Sequence, residues 1–233
     1  SILFEPSGSA LISVSPGEPP AKLSPKEEES IRSVVLPPDW KISSQDPNAL
    51  TLDFMSYRRE GDADWSPLNP NYAVQEALES KGTGTKFAVR YFFNLGFDPK
   101  KAKDLRLVME QPEKYEISVN GKSLEYKDQG WWRDRFFKTI DIRDAAVEGR
   151  NVITASATFV APKEPNTLNY TPDGIEIEAA YVVGDFSVKS EPGTGYVLKP
   201  PLNGVRYGDL VKRGYPFFSG SITIEQNAEI SPA

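Results

Sequence analysis

Apolar and polar residues alternate along several short segments of this chain, and turn-forming residues separate the segments. In the clearest one, Tyr115, Ile117 and Val119 alternate with polar residues, which is the period-two pattern of a half-buried strand. Asn120-Gly121 follows at once, and this dipeptide tolerates the positive φ angles of a type I′ turn best. The segment therefore predicts one strand and the turn of a β-hairpin.

The same pattern predicts short strands along most of the remaining chain. A short helix is expected instead where Val74, Ala77 and Leu78 share one face. Strands are expected over residues 40–42, 48–54, 87–93, 105–109, 131–137 and 175–181, and others begin at residues 152 and 186. The 20 prolines and 17 glycines argue against a helical bundle. Together these signals predict an all-β fold, an antiparallel β-sandwich with short helical turns in its loops.

Composition divides the chain into three regions. Residues 15–30 are rich in Pro, Ser and charge, which is typical of a linker or an exposed loop. We therefore expect residues 1–30 to hold an upstream strand remnant and a linker, and residues 31–190 to form the sandwich. Residues 191–233 are expected to be a connecting segment that starts a neighbouring β domain or returns a strand to it.

The residue types that the sequence lacks exclude several kinds of site. Among its 233 residues there is no Cys and no His, so disulfides, thiolate nucleophiles, Ser-His-Asp triads and Cys/His zinc sites cannot form within it. A net charge of −6 without any run of Lys or Arg predicts no nucleic-acid partner. No apolar run approaches the roughly 20 residues of a membrane span, so no span is expected.

Four short motifs resemble those of one group of enzymes. Residues 119–121 read Val-Asn-Gly at the end of a strand, residues 141–142 read Asp-Ile before a turn, and residues 149–151 read Gly-Arg-Asn before the next strand. Residues 214–220 read Gly-Tyr-Pro-Phe-Phe-Ser-Gly. This order resembles the sugar-binding jelly-roll domain of bacterial glycoside hydrolases of the β-galactosidase and β-glucuronidase type, and also α-L-rhamnosidase-like enzymes.

The resemblance implies a galactose-binding-like jelly roll that acts as an accessory to a catalytic domain and is not itself the catalyst. Its partners would be carbohydrate and the catalytic domain of the same parent chain. It also implies a secreted, periplasmic or cell-surface bacterial protein. Two alternatives stay open, an autonomous carbohydrate-binding module and a purely structural or adhesive sandwich.

Aromatic residues are the main candidates for contact with carbohydrate, because a flat ring can stack on the C–H face of a sugar. They are Trp131, Trp132, Tyr126 and Trp65. Neighbouring residues in a strand point to opposite faces, so one of Trp131 and Trp132 should enter the core while the other faces outward. The alternative for each ring is a packing role.

Carboxylates are the acid–base groups that the sequence offers. Glu110, Asp134, Glu176, Glu178 and Asp185 are candidates, but with 33 acidic residues in the chain pairs arise by number alone, and exposed carboxylates are the common case. No catalytic residue is therefore assigned.

A cofactor is not expected either. The alternative is a structural Ca²⁺ in the loop that contains Asp62 and Asp64, since carboxylate oxygens are the hard ligands that this ion takes.

Overall fold

The strands of the described residues form three sheets, and two of these sheets face each other. A computed structural model of the chain describes residue 17 and residues 36–44, 46–162 and 173–227. Its strands are β1 (Asp39–Ser44), β2 (Asn48–Leu52), β3 (Phe54–Arg59), β4 (Asn69–Pro70), β5 (Lys86–Leu95), β6 (Leu105–Glu110), β7 (Glu116–Val119), β8 (Lys122–Leu124), β9 (Trp131–Trp132), β10 (Asp134–Asp141), β11 (Gly149–Thr158), β12 (Ala180–Gly184), β13 (Ser187–Glu191), β14 (Gly195–Lys199), β15 (Gly204–Arg206) and β16 (Ile222–Glu225).

The two larger sheets form the sandwich. One has the order β2-β12-β6-β10-β9, and the other runs β13-β14-β5-β11-β7-β8, with β3 and β4 attached through β5. Strand pairs in the described residues are antiparallel except β14 with β5. The predicted all-β antiparallel sandwich is therefore confirmed.

The core lies between these sheets and follows the alternation of the sequence. Along β5 every second side chain is buried, from Phe87 through Val89, Tyr91 and Phe93 to Leu95. Inward-facing residues of the other sheet, such as those of β6 and β12, belong to the same apolar cluster. Burial of this apolar surface is the main stabilising term of the fold.

The predicted helix is confirmed as α1 (Asn71–Glu79), which is longer than expected. Val74 and Leu78, four residues apart, are fully buried and pack in the main cluster, as the spacing of one helix face requires. Three 3₁₀ turns, Pro99–Lys101, Pro112–Lys114 and Leu210–Arg213, complete the helical elements of the described residues. No helix there is long and apolar enough to cross a membrane.

The Asn-Gly hairpin is confirmed, and it joins two of the sequence motifs. Asn120 and Gly121 have φ angles of 52° and 80° and connect β7 to β8, as in a type I′ turn. The Asn120 amide donates to the carbonyl of Ala145 at 3.0 Å and to Oδ1 of Asn151 at 2.8 Å, while its Oδ1 accepts the Val152 N–H. The Val-Asn-Gly and Gly-Arg-Asn motifs therefore meet, and their asparagines have a structural role.

The single strand predicted over residues 131–137 is wrong. The strand is interrupted by a turn at Arg133, which has a positive φ of 65°, and β9 pairs with β10 as a hairpin. Asp134 pairs with Trp132 and Lys138 pairs with Trp131, with a register shift between these two pairs. The Asp134 carboxylate accepts the Phe136 N–H, which supports the irregular turn.

Two other predicted strands also needed correction. Residues 48–54 form β2 and the start of β3, which belong to different sheets. The strand predicted over 175–181 begins only at Ala180. The Ile177 N–H donates to the side chain of Gln75 in α1, and the Ile175 N–H donates to the carbonyl of Val160. The alternation there thus reflects burial of Ile175 and Ile177 outside a sheet.

The third sheet has the order β15-β1-β16. It pairs β1, within the predicted 31–190 region, with two strands of the 191–233 region. In addition β13 spans residue 190, and β14 joins β5. Hydrogen-bonded strand pairs therefore cross the predicted boundary at 190. The upstream strand and linker predicted for residues 1–30 lie outside the described residues, apart from Gly17.

Candidate functional site

Trp131 stands on an edge strand with its ring largely in solvent. It lies in β9, the last strand of the five-stranded sheet, and 58% of its surface is exposed. Gly130, with a φ of 95°, and Arg133 bound this two-residue strand with positive φ angles. These two bends set the strand apart from the loop before it and from β10 after it, so the ring is held on a short, defined segment.

Trp132 points the opposite way and packs against the outer side of the same sheet. Its ring lies 5.1 Å from that of Tyr181, and Phe137 lies 5.8 Å from Tyr181 at a steep angle. Both geometries fall within the range of favourable aromatic pairs. The two rings therefore point to opposite faces, but the prediction that one of them enters the core is wrong. Trp132 packs on the outer side of the sheet, beside Val108 and Val183, and Trp131 is exposed.

Polar residues lie in the loop just before Trp131 and opposite it in β10, where Lys138 pairs with Trp131. Asp128 accepts the Gly130 N–H at 2.9 Å, and its other oxygen lies 3.4 Å from Nζ of Lys138. The Gly130 hydrogen bond and Lys138 hold the pKa of Asp128 below its ordinary value, so it stays a carboxylate. The Oε1 of Gln129 accepts the Asp141 N–H. We refer to Trp131 with Asp128, Gln129 and Lys138 as the Trp131 platform.

The polar members of the Trp131 platform were missed in the sequence. Lys138 lies seven positions beyond Trp131 and becomes its neighbour only because the register shifts between β9 and β10. A regular hairpin about Arg133 would place other residues opposite Trp131. The signal that could have revealed the shift is the Asp134 side chain, since Asp often bonds the backbone two residues on.

Tyr126 lies within electrostatic range of Asp128 but does not offer an open ring. It is partly buried and packs against the main apolar cluster, and burial raises the pKa of its phenol. Of the four aromatic candidates, Tyr126 and Trp132 thus have packing contacts, while Trp131 offers an open ring face.

Trp65 lies in the loop between β3 and β4, and arginine side chains cover its ring. The guanidinium carbon of Arg90 is 3.8 Å from the ring centroid and that of Arg58 is 5.1 Å away. Cations over an aromatic face are stabilised by the ring quadrupole. The structure does not bring Trp65 together with the Trp131 platform, because Trp65 packs against Arg58 of β3 and Arg90 of β5, in the other large sheet.

The calcium candidates occupy a turn in which Asp62 already binds a cation. The Asp62 carboxylate accepts hydrogen bonds from the backbone N–H and Nε of Arg59, at 2.9 and 3.0 Å. The hydrogen bond from the Arg59 side chain lowers the pKa of Asp62 most strongly. Asp64 is exposed. No group of three or more Asp or Glu suited to a metal ion occurs among the described residues, and calcium at this turn stays a prediction.

Three of the carboxylate candidates lie near one another beside two tyrosines. Glu110, Glu176 and Glu178 line a very small cavity together with Tyr91 and Tyr115. Burial, together with the charges of Glu176 and Glu178, raises the pKa of Glu110 to about 7. Burial also raises the pKa of Glu178. The cavity has a volume of about 10 Å³, which is too small for a sugar. The three carboxylates therefore account for the raised pKa of Glu110 but do not form a substrate site.

Asp134 and Asp185 do not line this cavity, although the charge of Asp134 adds to the effects that raise the pKa of Glu110. Asp134 supports the turn at Arg133, and the Asp185 N–H donates to the carbonyl of Asp104. The structure therefore does not bring all five carboxylate candidates into one cleft.

Comparisons with known proteins give only distant matches. No protein-family model matches the sequence, and no curated protein matches it. Solved structures with partial similarity include a β-D-mannosidase from Dictyoglomus thermophilum, with 14% identity and a TM-score of 0.39 over 60% of this chain. A β-D-glucuronidase from the same organism has 14% identity and a TM-score of 0.38 over 67% of the chain.

A third structure is a β-glucuronidase from Ruminococcus gnavus in complex with an N1-substituted uronic isofagomine. It has 15% identity and a TM-score of 0.40 over 72% of this chain. The aligned parts make up 23%, 33% and 36% of these three chains. The chain thus spans about a third or less of the length of each.

Proposed function

We propose that this chain is a non-catalytic accessory β-sandwich of a secreted bacterial glycoside hydrolase and that it contacts carbohydrate through the Trp131 platform. The open face of Trp131 carries the proposal. Trp131 is 58% exposed on an edge strand, so a ligand can cover its ring without displacing another side chain. Covering the ring with a flat apolar face removes apolar surface from water, which is favourable. The accessory role in a larger chain rests on the motif resemblance.

The surroundings of the ring suit a sugar better than an apolar ligand. A pyranose offers a C–H face to the indole and hydroxyl groups around its rim. Asp128 supplies acceptors, Lys138 a cation and Gln129 an amide for these hydroxyls. Asp128 and Gln129 precede Trp131 in the chain by three and two positions, and Lys138 pairs with it in the ladder of β9 and β10. Mixed aromatic and polar sites of this kind fix both the position and the orientation of a ligand.

The test is calorimetry of the intact chain against a panel of plant and host polysaccharides. We expect weak binding to at least one of them, and Trp131→Ala should abolish it without changing the melting temperature. Tyr207→Ala is the matched control, because Tyr207 is also exposed, at 79%, but follows β15 in the third sheet. If Trp131→Ala binds as the unchanged protein does, carbohydrate contact at this platform is wrong.

The non-catalytic part of the proposal has its own test. A purified sample should not hydrolyse aryl-glycosides. Turnover that disappears in Glu110→Gln, the variant of the carboxylate with the most perturbed environment, would show that the chain is an enzyme. Binding without any catalytic partner in the parent chain would favour an autonomous carbohydrate-binding module, and the sequence on either side of residues 1–233 decides between these two.

A further inference from the structure

A cleft on the eight-stranded sheet is separate from the Trp131 platform. It has a volume of about 540 Å³, within the range of small-molecule sites. Its floor comes from β5, and the turn between β13 and β14 forms one wall. The edge of β2, which belongs to the other sheet, borders it.

The cleft exists because two strands compete for the same edge of β5 and neither covers it fully. The β3 ladder ends where Ser56 pairs with Arg90, and the β14 ladder begins where Val197 pairs with Asn94. Phe92 lies between these two ladders. The Glu60 N–H donates to the carbonyl of Lys86 on this edge. The backbone N–H and carbonyl groups of every second residue in a strand point to the same edge, and Phe92 is six residues beyond Lys86. The backbone N–H and carbonyl of Phe92 therefore point into the opening.

One cation dominates the chemistry of the cleft. The guanidinium carbon of Arg150 lies 4.7 Å from the ring centroid of Phe92, which fixes its position over the floor. No carboxylate of the described residues forms an ion pair with Arg150, and no Asp or Glu lines the cleft. The remaining polar lining consists of hydroxyl and amide groups, on Thr51, Ser56, Asn94, Thr194 and Tyr196.

We propose that this cleft binds a carboxylate-bearing sugar. Arg150 would pair with the carboxylate in the two-pronged manner of guanidinium groups, and the hydroxyl and amide groups would meet the sugar hydroxyls. Tyr196 supplies a partly exposed ring, which Phe217 braces at 5.0 Å. A neutral sugar would leave the guanidinium without an anionic partner. The proposal rests on the carbohydrate role above, but it uses a different surface.

The experiment compares two trimers, galacturonic acid and galactose, which differ in their carboxylates. Titration calorimetry with the intact chain should show binding of the acidic trimer that weakens as salt is added. Arg150→Gln should weaken it by about tenfold or more, which is the range for hydrogen bonds to charged groups. Arg150→Lys should restore part of the affinity. Arg58→Gln is the matched control, because Arg58 also lies over a ring, that of Trp65.

The outcomes separate the two proposals. If Arg150→Gln loses binding of the acidic trimer and Trp131→Ala retains it, the cleft proposal is supported. This holds whether or not the Trp131 platform binds another carbohydrate. Equal affinity for both trimers, no binding of the acidic one, or full affinity in Arg150→Gln overturns the cleft. Trp131→Ala that abolishes all binding while Arg150→Gln changes nothing assigns carbohydrate to the platform alone and also overturns it.

Discussion

Two neighbouring hairpins of this molecule use their turns in opposite ways. The β7–β8 hairpin turns at Asn120-Gly121, continues its ladder without interruption and buries Ile117 and Val119. The β9–β10 hairpin turns at Arg133, shifts its register and leaves Trp131 in solvent. The turn of the first hairpin is the one that its local sequence predicts, whereas the turn of the second is not.

The difference lies in what holds each turn. Asn120 bonds to the neighbouring strand β11 through Val152 and Asn151 and to the loop carbonyl of Ala145. The turn at Arg133 is held mainly within its own hairpin, by the hydrogen bond from the Phe136 N–H to Asp134 and by the Trp132 ring, whose centroid lies 5.5 Å from the Arg133 guanidinium carbon. Its contact outside the hairpin is from Nη2 to the Asp46 carboxylate at 3.4 Å. A turn that is bonded to a neighbouring strand sets strand register, while a turn held within an edge hairpin can present a side chain to a ligand. Edge irregularities of this kind commonly re-aim side chains.

The largest expected loss of stability comes from replacing Asn151, which accepts a hydrogen bond from Asn120 of the β7–β8 turn. Asn151 is fully buried, and its amide bonds to both backbone groups of Val147 and to the carbonyl of Gly149. Asn151→Ala should lower the free energy of unfolding by about 2–4 kcal/mol, because four part-buried hydrogen bonds of this buried amide are lost. Urea denaturation measures the loss. Asn203→Ala, at an exposed position, is the control, and an equal loss there would contradict this role.

The next effect concerns the turn itself. Gly121→Val should cost on the order of 1–3 kcal/mol, because a β-branched residue resists the positive φ of 80° at this position. A Cβ there would meet no other atom within 4 Å, so backbone strain is the whole cause. The melting temperature should fall and carbohydrate binding should not change. Unchanged melting with lost binding would show instead that the turn is a recognition loop.

The second hairpin should respond unequally at its two tryptophans. Trp132→Ala should cost about 1–2 kcal/mol, below the range for fully buried aromatic residues, because Trp132 is only half-buried against Tyr181. Trp132→Phe should cost less, since the indole Nε1 is buried without a hydrogen-bond partner in the described structure. Trp131→Ala should change stability by less than about 0.5 kcal/mol. Thermal melts of the three variants measure these differences, and equal losses at both tryptophans would remove the distinction between platform and packing.

A pH dependence is expected beside the second hairpin, where Glu110 pairs with Phe137 of β10. The pKa of Glu110 is raised from 4.5 to about 7, so the folded protein holds this proton more tightly than the unfolded chain. Its contribution to stability is full below about pH 4.5 and is lost as the pH rises through 7. Glu110→Gln should therefore melt higher than the unchanged protein at pH 8, with the gap shrinking toward pH 4.5. A gap that does not vary with pH would contradict the raised pKa.

The sequence predicts those structural features that depend on residues close together in the chain. The turn at Asn120-Gly121 and the buried face of α1 follow from turn chemistry and periodicity, and both are confirmed. The break at Arg133 could not be foreseen in this way, because arginine has no particular preference for a positive φ. The pairing of Asn120 with Asn151, 31 positions away, gives the two sequence motifs their structural meaning.

The candidate site was predictable only in part. Tryptophans beside each other in a strand predict one exposed ring, and Trp131 provides it. The cleft at Phe92 arises where β3 and β14 both end along β5, and no local pattern signals where two ladders stop. Arg150 belongs to the Gly-Arg-Asn motif, but its place over Phe92 depends on the pairing of β11 with β5.

The third sheet has a consequence for the order of folding. Lys41 in β1 pairs with Glu225 in β16, so almost the entire described chain must be synthesised before this ladder can close. Closing so long a loop costs more chain entropy than closing a hairpin, and pairings between distant positions slow folding. The sandwich strands can meet their partners earlier on the ribosome. Until β16 emerges, β1 offers an unpaired edge, and during this interval the growing chain is most exposed to pairing with another copy of itself.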